Sequence, residues 1–508
     1  MVFGSSGENT GVNFARDVLD RQTPGNLALV ELARDGKRRE WSFAEIAEKS
    51  ARLAGALQVR GVRRGDVVMT LIGNRPEWVA SMCACFRIGA VVLPCTEQLR
   101  AKDLRLRLAV ARPSLLIADE RNRAELEAAQ PECEVAFLTD ASLFSAEPAT
   151  AVDLGEEAPC LITFTSGTSG EPKAVLHGQR YLSGQRLQAS HWLGARAGEL
   201  VWCTAASGWS KSARNVFIAP WLSGAAALLH DARFDPRERV ELLLSERVNI
   251  LCMAPTEYRV IAKRATLGAF PDLRGMVAAG EALNPEVLRA WKEVTGLEIR
   301  DGYGQTETGQ MTGTPPNESA RPGSMGRPLP GVSLSVRDGE LIADPETVPT
   351  FFLGYVGEGA TREENGQWSV RARHRGSVWR TGDCVREDPD GYLWFEGRSD
   401  DVIISAGYRI GPFEVESALV AHPAVAEAAA VAAPDEERGA VVRAVVVLRQ
   451  DPQYVPSPEL VRELQDHVRR ETAPYKYPRI VDFVSELPKT ASGKVRRAEL
   501  RSSTSEAP

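Results

Sequence analysis

Long apolar runs are missing from this chain. No uninterrupted stretch approaches the roughly 20 residues that cross a bilayer, so no membrane span is expected. The opening residues, MVFGSSGENTG, lack a basic segment followed by an apolar one, so no signal peptide is expected. No basic block occurs and the formal net charge is −7, which argues against nucleic acid as a partner. Cysteine is sparse and scattered, at positions 83, 85, 95, 133, 160, 203, 252 and 384. Cys83 and Cys85 form a C-x-C. No C-x-x-C pair occurs, and no nearby histidine completes a zinc set. Buried, reduced thiols are expected, and with them a cytoplasmic location. Internal repeats and low-complexity segments are absent too.

What is present is ample. A chain of 508 residues can build two or more domains around a large core. Through the first 300 residues, short apolar strands alternate with helices. Ser42 and Glu45 have the spacing of a capping box that opens a helix ending near Gly61. Residues 76–88 read as a helix with proline in its first turn and Gly89 after its end. Strands are expected at 67–72, 90–93, 115–118, 161–164, 225–229, 250–253 and 276–279. Continuous apolar strands between helices predict doubly wound, parallel α/β sheets covered on both faces. Ligands of such sheets bind beyond the carboxyl ends of the strands.

The texture changes near Gly331. Segments 332–336 and 340–343 alternate around Asp338-Gly339, a hairpin signal within a small β-rich part. After Arg398 a shorter α+β pattern begins, with a helix from Pro412, strands near Val425 and Val441, a helix from Pro458 and a strand near Ile480. Two domains are therefore expected, 1–398 and 399–508.

Within the first domain, TFTSGTSGEPKAVLHG (163–178) follows an apolar strand. Gly167 and Gly170 permit close backbone approach. The hydroxyls of Thr165, Ser166, Thr168 and Ser169 and the backbone N–H groups form an anion cradle, and Lys173 adds a mobile positive charge. Polyphosphate fits. The spacing departs from G-x-x-x-x-G-K-[ST], and a flexible surface linker has the same composition. Four further motifs weigh against the linker. DGYGQTETG (301–309) offers an aromatic face, a hydroxyl and a carboxylate on a glycine-bounded turn. WRTGD (379–383) places Asp383 where a carboxylate can accept two ribose hydroxyls. GRSDDVIISAGYRIGPFEVE (397–416) straddles the domain boundary, and PKTASGK (488–494) ends on a second loop lysine.

Together these motifs resemble the adenylate-forming superfamily of acyl-CoA synthetases, carrier-protein adenylation domains and luciferases, over residues 42–497. GWSKSARNVFIAPWLSGAA (208–226), AGEALNPE (279–286), RPGSMGRPLPG (321–331), SAGYRIGPFEVESAL (405–419) and TAPYKYPR (472–479) look most like the medium-chain acyl-CoA synthetase branch. The resemblance implies an AMP-forming acid–thiol ligase that uses ATP, Mg²⁺ and CoA. Its C-terminal domain would be mobile, with the hinge near Asp400.

By the same resemblance, residues 165–173, including Gly167, Gly170 and Lys173, would grip the β- and γ-phosphates. Gly280, Glu281 and Ala282 would surround the adenine with Asp301, Gly302, Tyr303, Gly304, Gln305 and Thr306. Thr306 would also touch the α-phosphate, and Glu307 would hold the metal. Asp383 and Arg398 would hold the ribose, and Lys494 would bridge carboxylate and α-phosphate. Ala406, Gly407 and Tyr408 would reach the active site after domain rotation. Arg409, Arg438 and Arg479 are the candidates for CoA phosphates. Trp209, Ala278, Gly280, Gly302, Gln310 and Met311 would wall the acyl pocket, which suits a medium aliphatic or aromatic acid. A hairpin around Asp338-Gly339 shorter than the family's, and extra residues at 369–378, depart from the pattern. The acceptor stays open between CoA and a carrier-protein thiol, an amine or another nucleophile. An AMP-binding protein without catalysis is the third alternative, against which Lys494 and Glu307 argue. A monomer or a homodimer would serve equally.

Overall fold

The computed structural model describes residues 11–165, 171–281, 283, 285–363, 366–370, 376–490 and 494–502. Helix Phe43–Val59 starts as expected: Ser42 Oγ accepts from the Glu45 N–H, and the Glu45 carboxylate accepts from the Ser42 N–H. Helix Pro76–Ile88 ends on Gly89 in the left-handed conformation. The two helices pack together, and their buried faces join one apolar core that includes Trp78, Phe86, Phe217 and Trp221.

Two seven-stranded sheets flank this core. The first runs Ile299–Gly302, Gly275–Ala279, Ile250–Met253, Leu200–Cys203, Ala226–His230, Leu27–Leu32 and Arg38–Ser42. Only its last strand is antiparallel to its neighbour. The second runs Gly354–Tyr355, Ala174–Gly178, Pro159–Phe164, Val91–Cys95, Val67–Leu71, Leu115–Ala118 and Glu134–Phe137. In both sheets the strand order reverses beside a central strand, which opens a crevice at the carboxyl ends.

The parallel expectation needs correction at one edge of each sheet. Residues 174–178, for which no strand was expected, form a fully buried strand antiparallel to Pro159–Phe164. The two strands are thus the arms of a hairpin. A run of Ala-Val-Leu-His-Gly has no alternation to betray a strand, because both faces are covered.

Strands Leu334–Arg337, Glu340–Ala343, Trp379–Glu387 and Leu393–Arg398 form a separate antiparallel sheet. Asp338 and Gly339 both have positive φ, which fits the tight hairpin turn. Beyond Arg398, strands Val425–Asp435, Gly439–Leu448 and Ile480–Phe483 carry helices Pro412–Ala421 and Pro458–Glu471 around their own apolar cluster. No described helix is long and apolar enough to cross a membrane.

Candidate active site

The carboxyl ends of strands Val67–Leu71, Val91–Cys95, Pro159–Phe164, Leu200–Cys203, Ile250–Met253, Gly275–Ala279 and Ile299–Gly302 all open onto one cleft of about 1950 Å³. A pocket for one small ligand holds roughly 300–1,000 Å³, so this cleft has room for a nucleotide and an acid together. The small domain closes one side of it, through Lys489, Lys494, Arg497 and Arg501.

Asp383 sits in strand Trp379–Glu387 opposite Arg398 of the next strand. Its carboxylate accepts from the Tyr303 hydroxyl, from Gln305 Nε2 at 2.8 Å and from Arg398 Nη1 at 3.3 Å. Burial pushes the Asp383 carboxyl above the usual carboxylate range, against the pull of Tyr303, Arg398 and Gln305. Gln305 is held in turn by Trp379 Nε1 at 2.9 Å. A carboxylate with such partners is preorganised to take hydroxyl donors in place of Tyr303. Asp301 is also buried, accepts from the Gly302 N–H at 2.8 Å, and is pushed well above the carboxylate range by that burial.

Glu307 is half-buried on the cleft wall and accepts from the Tyr355 hydroxyl at 2.8 Å. Thr306 lines the cleft beside it. The flanks of the hydroxyl-rich loop are tied together. The Thr165 N–H donates to the Lys173 carbonyl and the Lys173 N–H to Thr165 Oγ1, both at 2.9 Å. The Lys173 side chain is 57% exposed, with Nζ 4.7 Å from the Tyr355 ring centroid and paired with Glu358 at 3.6 Å, a partner equally exposed that an anion can replace. Ser166, Gly167, Thr168, Ser169 and Gly170 lie outside the described residues, as does Ala282.

Lys494 comes from the other domain. Its loop is braced by Thr490, whose N–H donates to the Lys494 carbonyl at 2.8 Å. Burial pulls the Lys494 ammonium below the usual lysine range. Glu281 and Asp383 work against that pull, and Lys211 and Arg398 add to it. The site therefore brings together Lys494, Glu281, Asp383 and Arg398, residues as far as 213 positions apart in sequence.

Other expected residues lie away from the cleft. Ala406, Gly407 and Tyr408 form an exposed turn on the small domain, where the Ala406 N–H donates to the Arg438 carbonyl at 2.9 Å and Tyr408 stacks on Tyr475 at 4.3 Å. Arg438 and Arg479 are exposed on the same domain, and Arg409 lies in strand Tyr408–Ile410. Of the acyl-wall set, Trp209, Gly280 and Gly302 line the cleft. Ala278 does not: strand side chains alternate, so it packs on the far face of the sheet with Tyr258 and Trp291. Met311 is buried in the main core. Gln310 stands directly behind Gly302; a Cβ at 302 would lie 2.1 Å from Gln310 Nε2 and 2.7 Å from Trp192 Nε1.

Four cleft residues escaped the sequence reading. Tyr355 holds Glu307, and Trp379 holds Gln305. Lys211 donates to the Ala279 carbonyl at 3.1 Å beside Lys494, and Arg214 lines the cleft one helical turn further on. The GWSKSAR segment carried the signal for the last two, as charged residues in an otherwise apolar stretch.

A family model described as AMP-binding enzyme matches residues 15–350, and one described as AMP-binding enzyme C-terminal domain matches 414–494. The chain belongs to the AMP-binding enzyme family. It is 37% identical to the mitochondrial acyl-coenzyme A synthetase ACSM3 of Rattus norvegicus, over 96% of this chain and 90% of that protein. An uncharacterized acyl–CoA ligase, YtcI of Bacillus subtilis, is 38% identical over 92% and 91% of the two chains. The crystal structure of a benzoate CoA ligase from Burkholderia xenovorans superposes with a TM-score of 0.83 at 27% identity, covering 96% of this chain and 100% of that one. Both parts of an AMP-binding enzyme are thus present, with Lys494 at the end of the second match.

Proposed function

We propose that this chain activates a medium-chain or aromatic carboxylic acid with ATP and passes the acyl group to CoA. The observation that carries the reading is that Lys494 of the small domain lines the cleft together with Glu281 and Asp383. In the first step a substrate carboxylate oxygen attacks the α-phosphorus of ATP. A new P–O bond forms, the bond to the bridging oxygen breaks, and pyrophosphate leaves. Lys494 neutralises charge on the carboxylate and the α-phosphate, an electrostatic role in an in-line displacement. Lys173 and its hydroxyl-rich loop hold the departing phosphates, and Asp383 takes the ribose hydroxyls. In the second step the CoA sulfur attacks the acyl carbonyl and AMP leaves.

Mg²⁺ fits the donor set. Among the described residues no group of three or more His, Cys, Asp or Glu could form a protein cage. Glu307 on the cleft wall offers one carboxylate, the habit of an ion that keeps water and phosphate as its other ligands. Bound there, the ion would neutralise phosphate charge.

For thioester formation, Asp400 is the pivot. Rotation of residues 399–508 withdraws Lys494 and brings the Ala406-Gly407-Tyr408 turn to the cleft, with Arg409, Arg438 and Arg479 available to CoA phosphates. Eight unpaired cysteines, seven of them buried, support a reducing compartment such as the cytoplasm. Pyrophosphate release over a panel of aliphatic and aromatic acids, with and without CoA, tests the function. Release with at least one acid and an acyl-CoA product by mass spectrometry are expected. Acyl-AMP that accumulates unchanged by CoA but is consumed by an amine or a carrier protein would move the acceptor elsewhere.

A further inference from the structure

The cleft has a cation at its inner wall that the chemistry above does not use. Arg214 is 4% exposed and lines the cleft. Its Nε and Nη1 have no hydrogen-bond partner, and no carboxylate pairs with it among the described residues. An uncompensated guanidinium is strongly unfavourable in a protein interior. The Tyr181 hydroxyl accepts one hydrogen bond from the guanidinium but brings no negative charge. His177, 1% exposed, stacks on Tyr181 at 4.0 Å and is pushed down to about 3 by burial and by Arg214 and Arg180, so it stays neutral.

Other buried polar atoms without partners, donors and acceptors both, lie on the elements packed near it. Asn215, the next residue, accepts from Gln188 Nε2 at 3.0 Å, but its own Nδ2 is unpaired. Trp192 Nε1, behind Gly302, is unpaired as well. Helix Gln179–Gln188 packs against both the Arg214–Ile218 turn and the Gly309–Gln310 strand, so these groups share one wall. Buried polar groups are nearly always satisfied, and a guanidinium with unpaired N–H groups on a ligand cleft points to a ligand acceptor. A pocket for a plain hydrocarbon tail would need none of them.

We propose that the acid activated here carries a second oxyanion remote from the reacting carboxylate, a dicarboxylate in the simplest case, and that Arg214 receives it. A guanidinium can meet a carboxylate through two parallel N–H bonds, which fixes the acid's length and orientation as well as its charge. This inference rests on the adenylation reading and names the substrate class of that same site.

The test is pyrophosphate release by the full chain with ATP and length-matched pairs: straight-chain mono- and dicarboxylates of four to ten carbons, and benzoate with its meta- and para-carboxy derivatives. At the best-fitting length the diacid is expected to exceed the monoacid in kcat/KM by about 100-fold or more, since sites built to bond a polar group reject analogues that lack it. Arg214→Met should reverse the order, mainly through the KM of the diacid, and Arg214→Lys should keep it. Preference for monoacids at every length, or an order unchanged by Arg214→Met, overturns the inference while leaving adenylation standing. If Arg214→Met does not fold, the ranking by the unmodified chain decides. No release with any acid overturns both readings.

Discussion

Lys494 is the residue on which the proposed chemistry turns, and its surroundings set a pH limit. Burial lowers its pKa, so the ammonium gives up its proton at a lower pH than a free lysine, whose value is about 10.4. The charge is present below the shifted value and is lost as pH rises through it. The first half-reaction, followed as pyrophosphate release, should therefore fall on the alkaline side at a pH below the ordinary lysine range. Lys494→Arg keeps the charge at all accessible pH values and should move that limb upward, even if the bulkier head lowers the maximum. The same limb in Lys494→Ala would assign it to another group.

The cleft depends as much on how loops meet as on side chains. Gly208 has a φ of +88°, and a Cβ there would lie 2.4 Å from the Thr96 N and 2.6 Å from the Cys95 carbonyl carbon. The loop after strand Leu200–Cys203 thus presses on the end of strand Val91–Cys95, locking the two sheets together at the cleft floor. Gly208→Ala combines a left-handed alanine, worth roughly 1–2 kcal/mol, with backbone overlap that cannot be relieved by a rotamer. Its thermal midpoint should fall by several degrees and pyrophosphate release should fall with it; an unchanged midpoint would show that the loop yields easily. Elements of this kind explain what was legible beforehand. Helices with end signals, such as Pro76–Ile88, and the short motifs around Lys173, Asp383 and Lys494 are local, so a few neighbouring residues declare them. The strand at 174–178 was hidden because burial on both faces erases alternation. Ala278 was misplaced on the acyl wall because a one-residue step in a strand changes faces. The Arg214 wall joins positions 177, 181, 188, 192 and 214 with 310, a set that no spacing rule gathers.

At the scale of the whole molecule, the cleft holds Lys494 while the Ala406-Gly407-Tyr408 turn lies outside it, which is the arrangement expected for adenylation and not for thioester formation. If the small domain turns about Asp400 between the steps, mutations should separate them. Lys494→Ala removes a preorganised charge from step one, which should slow pyrophosphate release by about 10² to 10³. Supplied acyl-AMP should still become thioester at near the original rate, because Lys494 has swung away by then. Asp400→Pro should do the reverse. Asp400 lies in a turn between strand Leu393–Arg398 and the small domain, and among the described residues none accepts from its N–H, so proline removes no backbone bond there and gives up only the 3.5 Å ion pair of the Asp400 carboxylate with Arg398. It does fix φ near −65° and stiffen the pivot. Trapped with Lys494 in place, the enzyme should adenylate and release little thioester. Single-turnover assays of each half-reaction on both variants decide the matter. Equal losses in both steps for Lys494→Ala would mean one fixed active site, with Lys494 at work in both reactions and no rotation between them.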